Sequence, residues 1–208
     1  MKASRIFIIR HAHTVGTQNG WFYGKADLPI SKEGEIEVLE SKNKGIYSFA
    51  TEESKFFTTG LKRTEQTLKL IFGDRCFERI EELQEMDFGD YECRSYEELK
   101  EDETFLKWGY DKTGEVALPN GESRNEFKNR VRKGWEKLFD EHMLLEFKLR
   151  HKNEEARSIL LGHGGVTSEI MAMLFPEENK TLWDWIPDPG TGYQILIENS
   201  KAKDYKKI

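Results

Sequence analysis

The sequence predicts an α/β fold in which a mostly parallel sheet is covered by helices on both faces. Short runs rich in β-branched and aromatic residues recur along the chain, and segments with helical periodicity separate them. A parallel connection between neighbouring strands needs a crossover long enough to contain a helix. This alternation therefore favours a three-layer architecture.

The individual elements follow from residue type and from start and stop signals. Five runs are predicted to be strands: Arg5–Ile9, Lys55–Thr58, Cys76–Ile80, Ser158–Leu161 and Tyr193–Ile197. Four segments are predicted to be helices: Glu33–Tyr47 after the N-cap Ser31, Leu61–Phe72 before Gly73, a long helix from Phe127 to Leu149, and Val166–Leu174 before Pro176.

The chain length fits one domain, because 208 residues bury a sizeable core without disulfides. No linker or internal repeat divides the sequence, so we predict a single domain over 1–208. Residues 84–123 are rich in charge with scattered aromatic residues, which indicates an insertion or lid over the sheet edge. The C-terminal segment SKAKDYKKI is predicted to be a frayed, solvated end.

Composition excludes several classes of function. The net charge is −6 and the two signs are mixed along the chain, which argues against a nucleic-acid surface. The apolar runs are too short for a membrane span. The two cysteines, Cys76 and Cys93, lack the spacing of a zinc or redox site. We therefore expect a cytoplasmic protein without metal or cofactor, either a monomer or a homodimer.

Cations and imidazoles follow three of the predicted strands. Arg10, His11 and His13 come directly after the first strand, Arg63 follows the second, and His163 follows the strand Ser158–Leu161. The carboxyl ends of the strands in an open α/β sheet form the ligand crevice. Two guanidinium groups converging there would match the oxygens of a phosphate group.

Histidine is the nucleophile that this chain offers for phosphate chemistry. The sequence has no GxSxG elbow, no activated cysteine context and no Walker-type loop. A neutral imidazole can attack phosphorus and form a phosphohistidine, which divides the hydrolysis into two easier transfers. The leaving alkoxide then needs a proton, which a carboxylic acid in the lid, such as Glu85, could supply.

Six sequence blocks resemble the histidine phosphatase (phosphoglycerate-mutase-like) superfamily. The segment RHAHT at 10–14 is similar to the RHGxT signature, and GKADLPIS at 24–31 is similar to GxxDxPLT. The other four blocks, in order along the chain, are LKRTEQT at 61–67, LQE with FG and Glu92 at 83–92, PNGES at 119–123 and GHGG at 162–165. The sequence departs from the family pattern at Ala12 and Cys93, where glycine is usual.

The resemblance implies a role for each matching residue. It implies His11 as the phosphorylated nucleophile, Glu85 as the proton donor and later the base for water, and His163 as the second histidine of the site. It implies Arg10 and Arg63 as the phosphate pocket, to which Thr17 could add a hydroxyl. Further candidates for contact with the substrate are His13, Asn19, Tyr23 and Gly24. For His13, a role as a pocket-wall or surface residue is the alternative.

The branch of the family is indicated less directly. The stretch after Glu85 lacks the longer segment of the mutases, which favours hydrolysis of a small phosphorylated metabolite. The run Gly20–Gly24 looks like that of α-ribazole-phosphate phosphatases. Phosphoglycerate mutase activity, or non-catalytic binding of a phosphorylated ligand, remain the alternative functions.

Overall fold

A six-stranded, mostly parallel sheet forms the centre of the computed structural model, which describes residues 3–208. The strands are β1 (Ser4–Arg10), β2 (Trp21–Phe22), β3 (Lys55–Thr58), β4 (Phe77–Arg79), β5 (Arg94–Ser95), β6 (Arg157–Gly162), β7 (Gly192–Glu198) and β8 (Lys201–Lys207). The order in the large sheet is β4-β3-β6-β1-β7-β8, and β2 pairs separately with β5. In this order the first four strands, β4, β3, β6 and β1, run parallel to one another. The strand β7 pairs antiparallel with β1, and β8 pairs antiparallel with β7.

Within residues 3–208, eight α-helices connect or cover these strands. They are α1 (Val15–Gln18), α2 (Lys32–Asn43), α3 (Lys62–Phe72), α4 (Tyr96–Leu99), α5 (Glu103–Tyr110), α6 (Arg124–Leu149), α7 (Gly164–Leu174) and α8 (Leu182–Trp185). The helix α2 ends before the predicted Tyr47, because the chain turns through Gly45 with a positive φ of 79°. No helix among residues 3–208 has the length and apolarity that crossing a membrane requires.

Alternation along β1 divides the core into two layers. Ile6 and Ile8 point into a cluster that contains apolar residues of α6 and α7. Phe7 and Ile9 belong to the cluster on the other face, with residues of α2 and α3. The predicted α/β fold with helices on both faces of the sheet is therefore confirmed. The segment 84–123 contributes Leu99, Phe105 and Trp108 to the first cluster.

The prediction of a frayed C-terminus is wrong. The segment Lys201–Lys207 is β8, which pairs antiparallel with β7. The two strands are joined at Asn199 and Ser200, whose φ values of 51° and 58° are both positive, as a tight two-residue hairpin requires. Most β8 side chains are exposed and many are lysines, so hydropathy did not reveal a strand that backbone pairing holds in place.

Cys93 adopts a left-handed backbone conformation, with φ of 59°. Its amide donates to the Phe22 carbonyl at 2.7 Å, which holds the β2–β5 pair together. A residue with a Cβ atom in this conformation costs roughly 1–2 kcal/mol, whereas glycine adopts it freely. The glycine of the family pattern is therefore explained by the turn at this position.

We expect Cys93→Gly to raise the free energy of unfolding by about 0.5–1 kcal/mol, because the relieved strain exceeds the entropic cost of glycine. Urea denaturation at equilibrium measures the change. Cys93→Ala is the matched control, since it removes the thiol and keeps the Cβ atom. An equal gain in both variants would mean that the thiol, not the backbone conformation, is the source of the strain.

Candidate active site

The two histidines that follow β1 and β6 lie side by side. These strands are parallel neighbours in the sheet, so the residues after them emerge at the same edge. The His11 amide donates to the Gly162 carbonyl at 3.0 Å, and the ring centroids of His11 and His163 are 5.3 Å apart. Both side chains are buried. The sheet therefore fixes the spacing of the two imidazoles.

His11 is held in one tautomer. Its Nδ1 lies 2.7 Å from the carbonyl oxygen of Ala12. A carbonyl oxygen only accepts, so Nδ1 carries the proton and Nε2 keeps its lone pair. Burial, and then the charges of Arg63 and Arg10, hold the pKa of His11 well below its ordinary value. The ring is therefore neutral at pH 7, and Nε2 is a free base.

His163 is neutral as well, with the opposite tautomer. The Nε nitrogen of Arg63 donates to its Nδ1 at 3.3 Å, and its Nε2 lies 2.9 Å from the Thr59 hydroxyl. Since Nδ1 accepts, Nε2 carries the proton. Burial, followed by the charge of Arg63, keeps the pKa of His163 well below its ordinary value. The Nε2–H of His163 thus donates to the Thr59 hydroxyl, with the ring beside that of His11.

Arg63 is a fully buried cation. Its Nη1 donates to the Ala26 carbonyl at 2.8 Å and its Nη2 to the Gly24 carbonyl at 2.7 Å, while its guanidinium lies 5.0 Å from the centre of the Tyr23 ring. Burial lowers the pKa of Arg63. No carboxylate among residues 3–208 forms a salt bridge with it. A buried charge in this state favours the binding of an anion.

Arg10 is the second cation of the site. Its Nη1 donates to the Pro187 carbonyl at 2.8 Å, and its buried Nε finds no hydrogen-bond partner among the described residues. A Cβ atom at Gly164 would lie 3.3 Å from the guanidinium carbon, so glycine lets Arg10 pack on the first turn of α7. Arg10, Arg63 and the positive end of α7 together suit a phosphate dianion.

Glu85 reaches the same place from the segment 84–123. Its Oε2 accepts from the Gly165 amide at 2.9 Å and its Oε1 from the Met86 amide at 3.0 Å. A Cβ atom at Gly165 would come within 2.5 Å of Oε1. The last glycine of the GHGG block is therefore explained by the close approach of this carboxylate to α7.

Two residues that the sequence analysis assigned no role support Glu85. Arg130, on α6, donates from Nη2 to the Glu85 carbonyl at 3.2 Å and from Nη1 to the carbonyls of Glu82 and Gln84 at 3.0 and 2.9 Å. Glu122, within the PNGES block, forms an ion pair with Arg130. The position of Glu122 in a family block was a signal for its role, and Arg130 had none.

Glu92 fixes the loop behind Arg63. Its carboxylate accepts from the amides of Gly24 at 2.9 Å, Lys25 at 3.1 Å, Ala26 at 3.0 Å and Phe88 at 3.0 Å. The loop is close-packed here, since a Cβ atom at Gly24 would overlap the Met86 carbonyl oxygen at 1.6 Å. The predicted substrate contact Gly24 therefore lies behind Arg63, with its amide and carbonyl both engaged within the protein.

A family model for the histidine phosphatase superfamily (branch 1) matches residues 6–204. The chain belongs to this superfamily. It is 27% identical over 203 residues to the adenosylcobalamin/alpha-ribazole phosphatase of Escherichia coli, covering 95% of this chain and 92% of that protein. It is 26% identical to a putative phosphoserine phosphatase 2 of Hydrogenobacter thermophilus, with the same coverage of both chains.

Solved structures agree with the sequence relatives. The crystal structure of a putative alpha-ribazole-5′-P phosphatase from Escherichia coli matches with a TM-score of 0.76 at 25% identity, covering 97% of this chain and 94% of that one. The phosphoglycerate mutase of Thermus thermophilus shares the fold, with a TM-score of 0.61 at 21% identity over 97% of both chains. These matches confirm the prediction that the chain is a phosphatase of the histidine phosphatase superfamily.

Three of the residues predicted to contact the substrate, Thr17, His13 and Asn19, lie outside the wall of the cavity that Arg10, His11 and Glu85 line. The Thr17 hydroxyl donates to the Thr14 carbonyl and accepts from the Thr14 amide, both at 2.7 Å, and so caps α1. His13 contacts this hydroxyl at 3.2 Å and Glu37 at 3.6 Å. Asn19 is an exposed residue at the end of α1. Their contact with a substrate stays a prediction.

The departure from the family pattern at Ala12 leaves the backbone unstrained. Ala12 is not among the described residues with positive φ, so a side chain fits there without conformational cost. Its amide donates to the Thr67 hydroxyl at 3.0 Å. This hydrogen bond holds Ala12 in place after β1, and with it the carbonyl group that orients His11.

The cavity of the histidine phosphatase extends far beyond the two imidazoles. Its volume is about 700 Å³, and its wall includes Arg10, His11, Glu85 and Tyr23. These residues form one end, since Tyr23 neighbours His11 while Glu85 and Arg10 both contact the first turn of α7. The remaining wall is mainly aromatic: Trp21, Phe22, Phe88, Tyr96, Phe105, Trp108, Tyr110, Phe127 and Trp183. Tyr23 also accepts from the Thr14 hydroxyl at 2.7 Å. The aromatic wall has room for a substrate much larger than a phosphate group.

Proposed function

We propose that this phosphatase hydrolyses phosphomonoesters through a phosphohistidine on Nε2 of His11. One observation carries the proposal: the Ala12 carbonyl binds Nδ1, which leaves a neutral Nε2 lone pair beside two guanidinium groups. Arg10 and Arg63 would bind the phosphate oxygens, and each keeps N–H groups that no protein acceptor uses. The His163 N–H, which donates to the Thr59 hydroxyl in the free protein, would turn to a phosphate oxygen and stabilise the phosphoryl group in transfer.

In the first step, Nε2 attacks phosphorus and the P–O bond to the alcohol breaks. Glu85, in its protonated form, gives its proton to the leaving oxygen, so the alcohol departs neutral. The electron pair of the broken bond stays on that oxygen, and the phosphoryl group remains on His11. Glu85 lies at the same end of the cavity as His11, which supports its assignment as the acid.

In the second step, water replaces the histidine. Glu85, now a carboxylate, takes a proton from the water as its oxygen attacks phosphorus. The P–N bond breaks, its electron pair returns to Nε2, and inorganic phosphate leaves. The two amide donors from Gly165 and Met86 keep the carboxylate in one position for both steps.

For the substrate, we propose a metabolite with a large aromatic alcohol moiety, with α-ribazole phosphate as the leading candidate. The aromatic wall and the volume of about 700 Å³ support it, as do the names of the relatives. A phosphoserine or a phosphoglycerate would leave most of this wall uncovered. Mutase activity and non-catalytic binding of a phosphorylated ligand are therefore the secondary candidates. We place the activity in the cytoplasm, in a monomer or homodimer without cofactor.

Release of phosphate from p-nitrophenyl phosphate and α-ribazole phosphate in excess chelator tests this function. We expect full activity in chelator and a loss of at least about 10³-fold in kcat for His11→Ala, because the nucleophile is removed. His151→Ala, at an exposed position after α6, is the matched control. Turnover that disappears in chelator and returns with a metal ion would contradict the mechanism. Binding of phosphate esters without any turnover would instead support the alternative function, non-catalytic binding of a phosphorylated ligand.

A second test separates the two duties of Glu85. With p-nitrophenyl phosphate, whose leaving group needs no proton, Glu85→Gln should give a stoichiometric burst of nitrophenol and then slow turnover. An alkyl phosphate should give no burst. Gly165→Ala should weaken turnover in the same pattern, because its Cβ atom displaces the Glu85 carboxylate.

Rapid mixing measures both substrates, and the double variant tests whether the two residues act together. Adding Gly165→Ala to Glu85→Gln should cause little further loss, since the carboxylate is already gone. If the two losses multiply, Gly165 acts independently of Glu85. If neither substrate gives a burst in Glu85→Gln, another carboxylate handles the proton.

A further inference from the structure

A second carboxyl group faces the same cavity at a distance from the phosphate end. Glu169 lies on α7, four residues after the Gly165 amide that binds Glu85. Residues four apart lie on the same helix face, and four residues advance the helix by about 6 Å. The first turn of α7 lies against Arg10. Glu169 therefore faces the part of a substrate that projects about 6 Å beyond the phosphate group.

The Glu169 carboxyl group forms no salt bridge or hydrogen bond within residues 3–208. Burial raises its pKa, and the charge of Lys128 partly opposes that shift. Lys128 and Arg132 line a neighbouring cavity with Glu169, but neither forms an ion pair with it. A half-buried carboxylate without a partner is unfavourable, and a cation placed beside it would relieve the cost.

The wall of the cavity favours a positively charged ligand as well. Trp21, Tyr96, Trp108 and Trp183 all line it, and the faces of such rings attract cations. Arg124, another residue of the wall, already lies over the Trp108 ring at 5.1 Å. The rings that remain for a ligand cation are therefore those of Trp21, Tyr96 and Trp183.

We propose that the alcohol moiety of the substrate carries an aromatic ring and a positively charged nitrogen that pairs with Glu169. This inference rests on the phosphatase function proposed above and narrows its substrate class: among phosphoesters with an aromatic alcohol moiety, those with a cationic nitrogen are preferred over the uncharged ring of α-ribazole phosphate. The phosphate group lies between Arg10 and Arg63, the ring lies against the aromatic wall, and the cationic nitrogen lies at Glu169. Glu169 thereby selects among phosphomonoesters and takes no part in the transfer of the phosphoryl group.

The test uses two synthetic esters that differ only at the far end. In 4-(aminomethyl)benzyl phosphate an ammonium group stands para to the phosphate-bearing carbon, and in 4-methylbenzyl phosphate a methyl group stands there. We expect the wild-type kcat/KM for the ammonium ester to exceed that for the methyl ester by about 10-fold or more, since one desolvated charge pair of about 1.4 kcal/mol gives that factor.

Both variants at Glu169 should lower this ratio, and they should do so to different extents. Glu169→Gln should reduce the ratio to near one. Glu169→Lys should invert it and favour 4-carboxybenzyl phosphate instead. Glu136→Gln, which removes an exposed carboxylate on α6 outside the cavity, is the matched control and should keep the wild-type ratio.

The outcomes separate the inference from the function on which it rests. Hydrolysis of both esters with equal efficiency in the wild type would overturn the role of Glu169 and leave the phosphatase function standing. The same holds if the wild-type preference survives in Glu169→Gln. Failure to hydrolyse any of the three esters would overturn the phosphatase function, and the inference with it.

Discussion

The buried guanidinium of Arg63 connects the parts of this active site. Its three nitrogens donate to His163 and to the carbonyls of Gly24 and Ala26. The loop that supplies these carbonyls is held by the carboxylate of Glu92, whose four amide partners include Gly24 and Phe88. A hydrogen bond to a charged group contributes about 1.5–3 kcal/mol. Arg63 therefore couples the end of the sheet to the segment that brings Glu85.

This arrangement also sets the charge of the site. Two guanidinium groups lie near two imidazoles that burial and positive charge keep neutral. A protonated imidazole would add repulsion and would lose its nucleophilic lone pair, so neutrality serves binding and reactivity together. A phosphate dianion would match the positive charge that the protein leaves unpaired at Arg63 and Arg10. In the proposed function, binding of substrate would thus remove an electrostatic cost that folding leaves in place.

Much of the fold, and the convergence of the candidate site residues, could be predicted from sequence. The buried strands are short apolar runs, and the family blocks identify residues whose side chains converge because β1, β3 and β6 are parallel neighbours. The strand β8 could not be predicted from hydropathy, because its pairing uses backbone groups while its side chains are exposed. The hairpin that joins β7 to β8 depends on positive φ values at Asn199 and Ser200, and a hydropathy pattern carries no information on backbone angles.

Contacts between distant segments were harder to predict. Thr17 and His13 follow the nucleophile closely in sequence, yet the short helix α1 directs their polar atoms to each other and to Thr14. Arg130 and Glu169 stand outside every family block, and only the folded chain places the first against the Glu85 carbonyl and the second in the cavity. Sequence thus indicates the chemistry, while the packing of 84–123 and α7 determines what the cavity accepts.

The central claim is that Nε2 of His11 receives the phosphoryl group, because the Ala12 carbonyl occupies Nδ1. The most direct measurement is nuclear magnetic resonance of the ¹⁵N-histidine-labelled phosphoenzyme, trapped in base after reaction with p-nitrophenyl phosphate. The account predicts a ³¹P signal coupled to Nε2 of His11 and absent from His11→Ala. Phosphorus bonded to Nδ1 of His11, or to either nitrogen of His163, would contradict it.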